Sequence, residues 1–366
     1  MRRMPITRTS ERLLWLAFLF TAAAAVGSAG AVEGANAAVG GSGPAGVAPA
    51  GTGAPAGAAP GAAAADEAQK WLDRMNEALT SLNYDGVFSH AQGGEIETLR
   101  IIHRVQGGQV MERLVSLDGS GRELVRSGSE LVCYLPDERR VIVEQEPPPS
   151  LLLGNLPNFD AAARRFYDIR MGRRGRLIGR PAQLVLVAPK DEFRYGYRLW
   201  IDDATGMPLK TQLCDGRGRV VEQVVFASLA TPRQIPDSAF KPDISTAGFE
   251  WLRELPSSAA ANAAIAAWNA LKLPPGFHLS VRTEQVIPGA AGPVEHIVYT
   301  DGVASVSVFV ESHMHPDHAL KGVARLGSSS AYATIVDGHP VTAVGEVPPV
   351  TVRYIASSVK AQPTEH

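Results

Sequence analysis

Apolar residues recur at helical spacing in one long segment only. In DEAQKWLDRMNEALTSL, Trp71, Met75, Ala78, Leu79 and Leu82 share a face and the charges take the others, which predicts an amphipathic helix over 66–82. Most of the remaining chain alternates with period two. Segments 84–90, 98–105, 110–117, 122–126, 130–135 and 140–145 are parted by short runs rich in Gly, Ser, Asp and Pro. Such spacing predicts strands joined by hairpin turns. Pro147–Pro149 interrupt the pattern, and 160–167 is expected to be a short helix with Asp160 as its N-cap. Strands resume at 177–187, 195–202, 209–215 and 220–227, giving one long helix against roughly ten antiparallel strands.

Alternation shows which side is greasy. Leu99, Ile101 and Val105 oppose Thr98, Arg100 and Arg104; Tyr195, Tyr197, Leu199 and Ile201 oppose Arg198 and Trp200. One face is therefore apolar and the other wet. A sheet of this size curls, and a single helix over its inner face leaves either an apolar cavity open to a guest or a dry core filled by the helix. After Pro242 the punctuation changes. A second β region is expected at 277–283, 294–300, 305–311, 332–336, 339–344 and 351–355, with turns at Thr300-Asp301-Gly302 and Val336-Asp337-Gly338 and a possible helix at 318–326. The class is α+β in two domains, 66–243 and 273–359, joined by a linker at 244–272 and ending in a tail at 360–366.

The first residues change where this protein is expected to act. Arg2, Arg3, Arg8 and Arg12 precede the run LLWLAFLFTAAAAV and small residues lead to Ala29-Gly30-Ala31, so 1–31 reads as a cleaved secretory signal peptide. The apolar run is short for a span, which takes about 20 residues. From 32 to 65 the chain is almost wholly Ala, Gly, Pro, Val and Ser, a disordered tether by composition. A net charge of −2 supplies no bulk field for nucleic acid. Cys133 and Cys214 both fall in strand segments, and whether they pair is open.

Candidate chemistry concentrates in two places. VSVFVESHMHPDHALKG carries His313, His315, Asp317 and His318 at a spacing known from zinc hydrolases. Such a site needs further ligands from later strands of a large sandwich, and the remaining chain offers only Asp337 and His339 in a hairpin. A solvated loop accounts for the stretch, with His313, His315 and His318 as weak metal candidates and a zinc hydrolase as the distant alternative. No nucleophile elbow, P-loop or Rossmann glycine pattern is present. No cofactor and no catalytic residue are expected. The cluster Arg164, Arg165, Arg170, Arg173, Arg174, Arg176 and Arg180 suits lipid phosphates or acidic partner residues, or is a solvated face.

The stretch from Met171 to Phe226, containing Tyr-x-Leu-Trp-Ile-Asp and Pro208, is followed by LPPGFHL, HIVYTDGVASVSVFVE and VTAVGEVPPVTVRYIASSV. Together these resemble the RseB/MucB family of periplasmic regulators of the extracytoplasmic sigma factor, over nearly all of the chain after the tether. The first piece alone is shared with lipoprotein carriers. The long tether and the histidine loop depart from the family pattern.

The resemblance implies a large antiparallel half-barrel wrapped around a helix, as in lipoprotein carriers, plus a smaller C-terminal β-rich domain. It implies a periplasmic protein that binds the periplasmic segment of a membrane anti-sigma factor and shields it from the site-1 protease. Lipid or a mislocalised lipoprotein would release it, by mass action on the free form. Leu99, Ile101, Tyr134, Tyr197, Leu199 and Ile201 are the lipid-facing candidates, with a plain core role as the alternative. Asp301, Gly302, Gly345 and Glu346 are the partner-contact candidates, with a hairpin turn and a rigid loop as theirs. A lipid or lipoprotein carrier with no signalling partner is the other function these residues allow, and a homo-oligomer stays open.

Overall fold

The computed structural model describes residues 60–145, 159, 161–253, 268–286, 292–312 and 322–361. The expected signal peptide, the tether up to 59, Pro147–Pro149, Asp160, 254–267 of the expected linker, His313, His315, Asp317, His318 and 362–366 lie outside the described residues.

Helix α1 (Pro60–Ser81) leads into β1 (Tyr84–Gln92), β2 (Glu95–Gln106), β3 (Gln109–Ser116), β4 (Glu123–Ser127), β5 (Glu130–Leu135) and β6 (Arg140–Gln145). A short 3₁₀ turn (Ala161–Arg165) precedes β7 (Tyr167–Leu177), β8 (Arg180–Pro189), β9 (Gly196–Asp202), β10 (Pro208–Cys214), β11 (Val220–Ala230) and β12 (Glu250–Arg253). These strands form one open twelve-stranded sheet in the order β12-β6-β5-β4-β3-β2-β1-β11-β10-β9-β8-β7. The second region holds β13 (Trp268–Ala270), β14 (His278–Val286), β15 (Pro293–Thr300), β16 (Ser305–Glu311), β17 (Gly322–Leu326), β18 (Ser329–Val336), β19 (His339–Gly345), α2 (Pro349–Ala356) and β20 (Val359–Ala361). Its six-stranded sheet runs β14-β15-β16-β19-β18-β17, and β13 pairs with β20. No helix among the described residues is long and apolar enough to cross a membrane.

Several elements depart from the pattern-based expectation. The helix begins inside the expected tether, at Pro60. The Ala run before Asp66 accounts for this, since Ala is the best helix former and Pro suits the first helical position. Residues 167–177 form a strand although Gly and Arg interrupt their pattern, and as β7 they make one edge of the large sheet. Charged edge strands resist pairing with other chains. Strands β12 and β13 lie inside the expected linker, and β12 runs parallel to β6 while the other described pairings are antiparallel. The expected strand 351–355 is helix α2, where Thr351, Val352, Ile355 and Ala356 are buried at helical spacing after Pro348 and Pro349. The expected helix at 318–326 is overturned in its described part, which is strand β17.

Helix α1 fills the inner face of the large sheet. Ala68, Trp71, Leu72 and Met75 are buried against Tyr167, Ile169, Val185, Tyr197, Leu199 and Ile201. Ala78, one turn from the helix end, joins Tyr84, Phe88, Leu99, Ile101, Met207 and Phe226. The outer face is not simply wet. Residues 231–249 cross it as a strap: Ile235 and Phe240 pack on Ile102, Arg104 donates to the Ile235 carbonyl at 2.8 Å, and Arg113 bonds Asp243 at 2.7 Å.

Leu199 is fully buried beneath α1, so Leu199→Ala should lower the unfolding free energy by about 2–5 kcal/mol. Ile96, 71% exposed, should tolerate the same change within about 0.5 kcal/mol. Urea titration of both variants checks the contrast.

Candidate functional site

The six lipid-facing candidates do not form one open hollow. Tyr197, Leu199 and Ile201 lie under the middle of α1, and Leu99 and Ile101 lie in the core group that Ala78 joins. Strand register carries Ile101 across Leu114 and Leu124 to Cys133, so Cys133 faces inward. Tyr134, its neighbour, therefore points outward, where it packs with Val141, Val143, Ile244 and Phe249 under the strap. Two surface clefts lie elsewhere. One of ≈ 470 Å³ is lined by Gln92, Ile96, Val220 and Gly327, the other of ≈ 460 Å³ by Trp268, Glu295 and His339; no lipid-facing candidate lines either.

Beyond the end of α1 the inner face turns polar. Tyr84 stacks on His103 with ring centroids 4.4 Å apart, and Arg126 pairs with the fully buried Glu112 at 3.3 Å. Burial lowers the His103 pKa and raises that of Tyr84, with Glu112 adding to the second shift. Both cysteines are buried and neither is in a disulfide; Cys133 on β5 and Cys214 on β10 have β4, β3, β2, β1 and β11 between them.

The arginine cluster spreads along the β7 edge. Arg164 pairs with Asp66 at 2.7 Å and so braces the helix; Arg170 meets Asp168, Arg174 meets Asp203 and Arg180 meets the buried Asp202. Arg176 donates to the Gly179 carbonyl, Arg173 lies over the Trp200 ring at 5.7 Å, and Arg165 is exposed. His339, the expected companion of the histidine stretch, bonds the Glu311 carbonyl oxygen at 2.9 Å and meets Trp268 edge-on.

The four partner-contact candidates converge differently, for two of them face the larger sheet. Asp301 uses Oδ1 to accept the amides of Val303 and Ala304 at 2.8 and 2.7 Å, which sets the β15–β16 turn. Its Oδ2 accepts from Arg194, whose side chain is fully buried and also donates to Asp191 and to the Pro275 carbonyl. The rings of Phe166 and Phe277 flank that guanidinium at 4.6 and 5.2 Å. Burial, with Asp301 second, raises the pKa of the adjoining Tyr167.

A second polar node joins the domains. Ser328 donates to Glu346 at 2.6 Å and accepts from Gln92 at 2.5 Å, while His90 sits 2.8 Å from Glu222. Glu222 and Glu346 share a hydrogen bond. Thr351 adds a bond to the Phe193 carbonyl at 2.8 Å, and Phe193 packs on Tyr354. Two glycines allow this closeness: side chains at Gly276 and Gly327, both at positive φ, would strike Phe166 and Gln92. Of the other candidates, Gly302 sits at an open turn, and Gly345 presses against the Ser305 carbonyl where a Cβ has no room.

Sequence reading missed Arg194, Glu222 and His90. Nothing in KDEFRYGYRLW sets Arg194 apart from other arginines, and its partner Asp301 is 107 positions away. Removing one member of a buried pair strands the other charge. Arg194→Met should therefore cost about 3–5 kcal/mol, and adding Asp301→Asn should restore part of the loss, as read by denaturant titration of the single and double variants.

Two family models match the chain: the MucB/RseB N-terminal domain over 67–244 and the MucB/RseB C-terminal domain over 262–360. The sigma factor AlgU regulatory protein MucB of Pseudomonas aeruginosa is 34% identical over 307 residues, covering 81% of this chain and 92% of that protein. The sigma-E factor regulatory protein RseB of Escherichia coli is 27% identical over 294 residues, covering 79% and 89%. In solved structures, MucB in the Pseudomonas aeruginosa MucA/MucB complex superposes with a TM-score of 0.64 at 30% identity, covering 81% of this chain and 100% of that one. Crystalline MucB gives 0.57 at 29% identity, covering 81% and 98%. With both of its domains matched and a relative above 30% identity along most of its length, the chain belongs to the MucB/RseB family.

Proposed function

We propose that this protein is a periplasmic negative regulator of an envelope-stress sigma factor. It binds the periplasmic segment of a membrane anti-sigma factor, protects that segment from site-1 proteolysis, and is released by lipid or a mislocalised lipoprotein. One observation supports the partner above the rest: the chain superposes better on MucB in the MucA/MucB complex, at a TM-score of 0.64, than on MucB alone, at 0.57. As a whole, the chain is thus more like the partner-bound relative than the partner-free one.

Asp301 and Glu346 are engaged within the chain, so in this reading their contribution to the partner is to fix how the domains meet. The open turn at Gly302 and the rim around it are then the part of that face left free for contact. The β7 arginines that already hold carboxylates would have to exchange them for an anionic ligand, and Arg165 and Arg173 are the two best placed to accept one first.

The lipid step carries a physical requirement. An acyl chain gains roughly 0.8 kcal/mol for each CH₂ it buries, but the apolar face that suits it is occupied by Trp71, Leu72 and Met75 of α1. Lipid entry therefore exchanges one apolar cover for another, and a guest that displaces α1 changes the surface a partner meets. Such differential affinity for two states is what release requires.

The mature chain should capture the anti-sigma periplasmic segment in a pull-down, and added lipopolysaccharide or lipoprotein fragments should weaken capture by about 5- to 150-fold. Absence of capture would overturn the regulator. Lipid retained by a chain that ignores the segment would favour a periplasmic carrier instead.

A further inference from the structure

Glu222 of β11 and Glu346, just after β19, meet across the domain joint. Two carboxyl groups can share a hydrogen bond only if one of them keeps its proton. The surroundings decide which. Glu222 faces the His90 ring at 2.8 Å and the Gln92 amide at 3.3 Å, both able to donate to an ionised carboxylate. Glu346 has Ser328 at 2.6 Å, and among the described residues no cation bonds it. Tyr195 and Tyr197 approach from the β9 side, Tyr195 bonding Ser330; Arg325 and Asp215 act on Tyr195 from further off.

We propose that one proton shared between Glu346 and Glu222 helps clamp the two domains, so that docking takes up a proton and loosens as that proton is lost. The directions of ionisation agree with the geometry. Burial and then the neighbouring Glu222 charge raise Glu346 well above its ordinary value. Burial pushes Glu222 up as well, but the bonds from His90 and Glu346 outweigh it and hold it down.

The sign follows from linkage. The docked form keeps a proton on Glu346 that separated domains would release above the ordinary carboxylate range. Docking is therefore tightest near that range, at about pH 4.3. It weakens as pH rises towards the raised value of Glu346, by at most about tenfold per pH unit. Below the carboxylate range Glu222 must itself be protonated, and docking weakens again.

The clamp belongs to the chain alone, so it is tested without partner or lipid, and its failure leaves the proposed regulator untouched. Small-angle scattering of the full mature chain should show the separated fraction growing several-fold between about pH 5.5 and about pH 8.5. Glu346→Gln keeps a donor to Glu222 but has no proton to lose, and should remain docked with that slope abolished. If the variant does not fold, infrared spectra of the native chain serve instead. A protonated carboxylic acid band should persist at neutral pH and fade in step with separation. A flat scattering profile, an unchanged slope in Glu346→Gln, or no such band at neutral pH would overturn the clamp.

Discussion

The large sheet has a broad apolar inner face and one long helix to cover it, and much of the first domain follows from that constraint. Twelve strands curl because they twist, and α1 lies in the curl with Leu72 and Met75 completely buried. Hydrophobic cover is non-directional and scales with area. The helix holds this surface, and any acyl guest proposed for it would have to compete with that cover. Arg164, bonded to Asp66 and to the Ala65 carbonyl, ties the start of that helix to the turn before β7.

The second domain is joined to this cover through two polar nodes, beside the ring contact of Phe193 with Tyr354. At one node a buried guanidinium is shared between Asp191 in the first domain and Asp301 in the second. At the other, Gln92, Ser328, Glu222 and Glu346 form a chain of bonds. Polar joints of this kind specify one arrangement strongly while adding modest net stability, because desolvation offsets much of the attraction. That suits a family whose members are regulators: a partner that touches both domains reads their mutual angle, and anything that shifts the angle shifts affinity.

The period-two pattern made most strands legible, and the strands at 130–135 and 140–145 match the structure residue for residue. Helix α1 was equally plain, apart from an Ala-rich start that composition disguised as tether. Misreadings arose where local preference and tertiary context disagree. Thr351, Val352 and Ile355 are β-branched, yet they sit in a helix because two prolines set its start and a core lies on one side. Strand β7 breaks alternation with glycines and arginines, and its pairing with β8 overrides that. The motif residues Asp301 and Glu346 stood out in the sequence, but their partners did not. A long-range ion pair leaves no periodicity, so Arg194 and Glu222 were invisible until the fold brought them together. Tyr134 shows a subtler limit: alternation assigns faces within one strand but cannot say that its face lies opposite to that of Leu99.

Whether α1 occupies the place of the proposed lipid is the claim on which the regulatory account rests. Hydrogen exchange across α1, followed while the mature chain takes up a fatty-acyl lipid, addresses it most directly. The account predicts that amides around Trp71 to Met75 lose protection as lipid binds and regain it when lipid is removed. Lipid bound at full occupancy with those amides unchanged would contradict it.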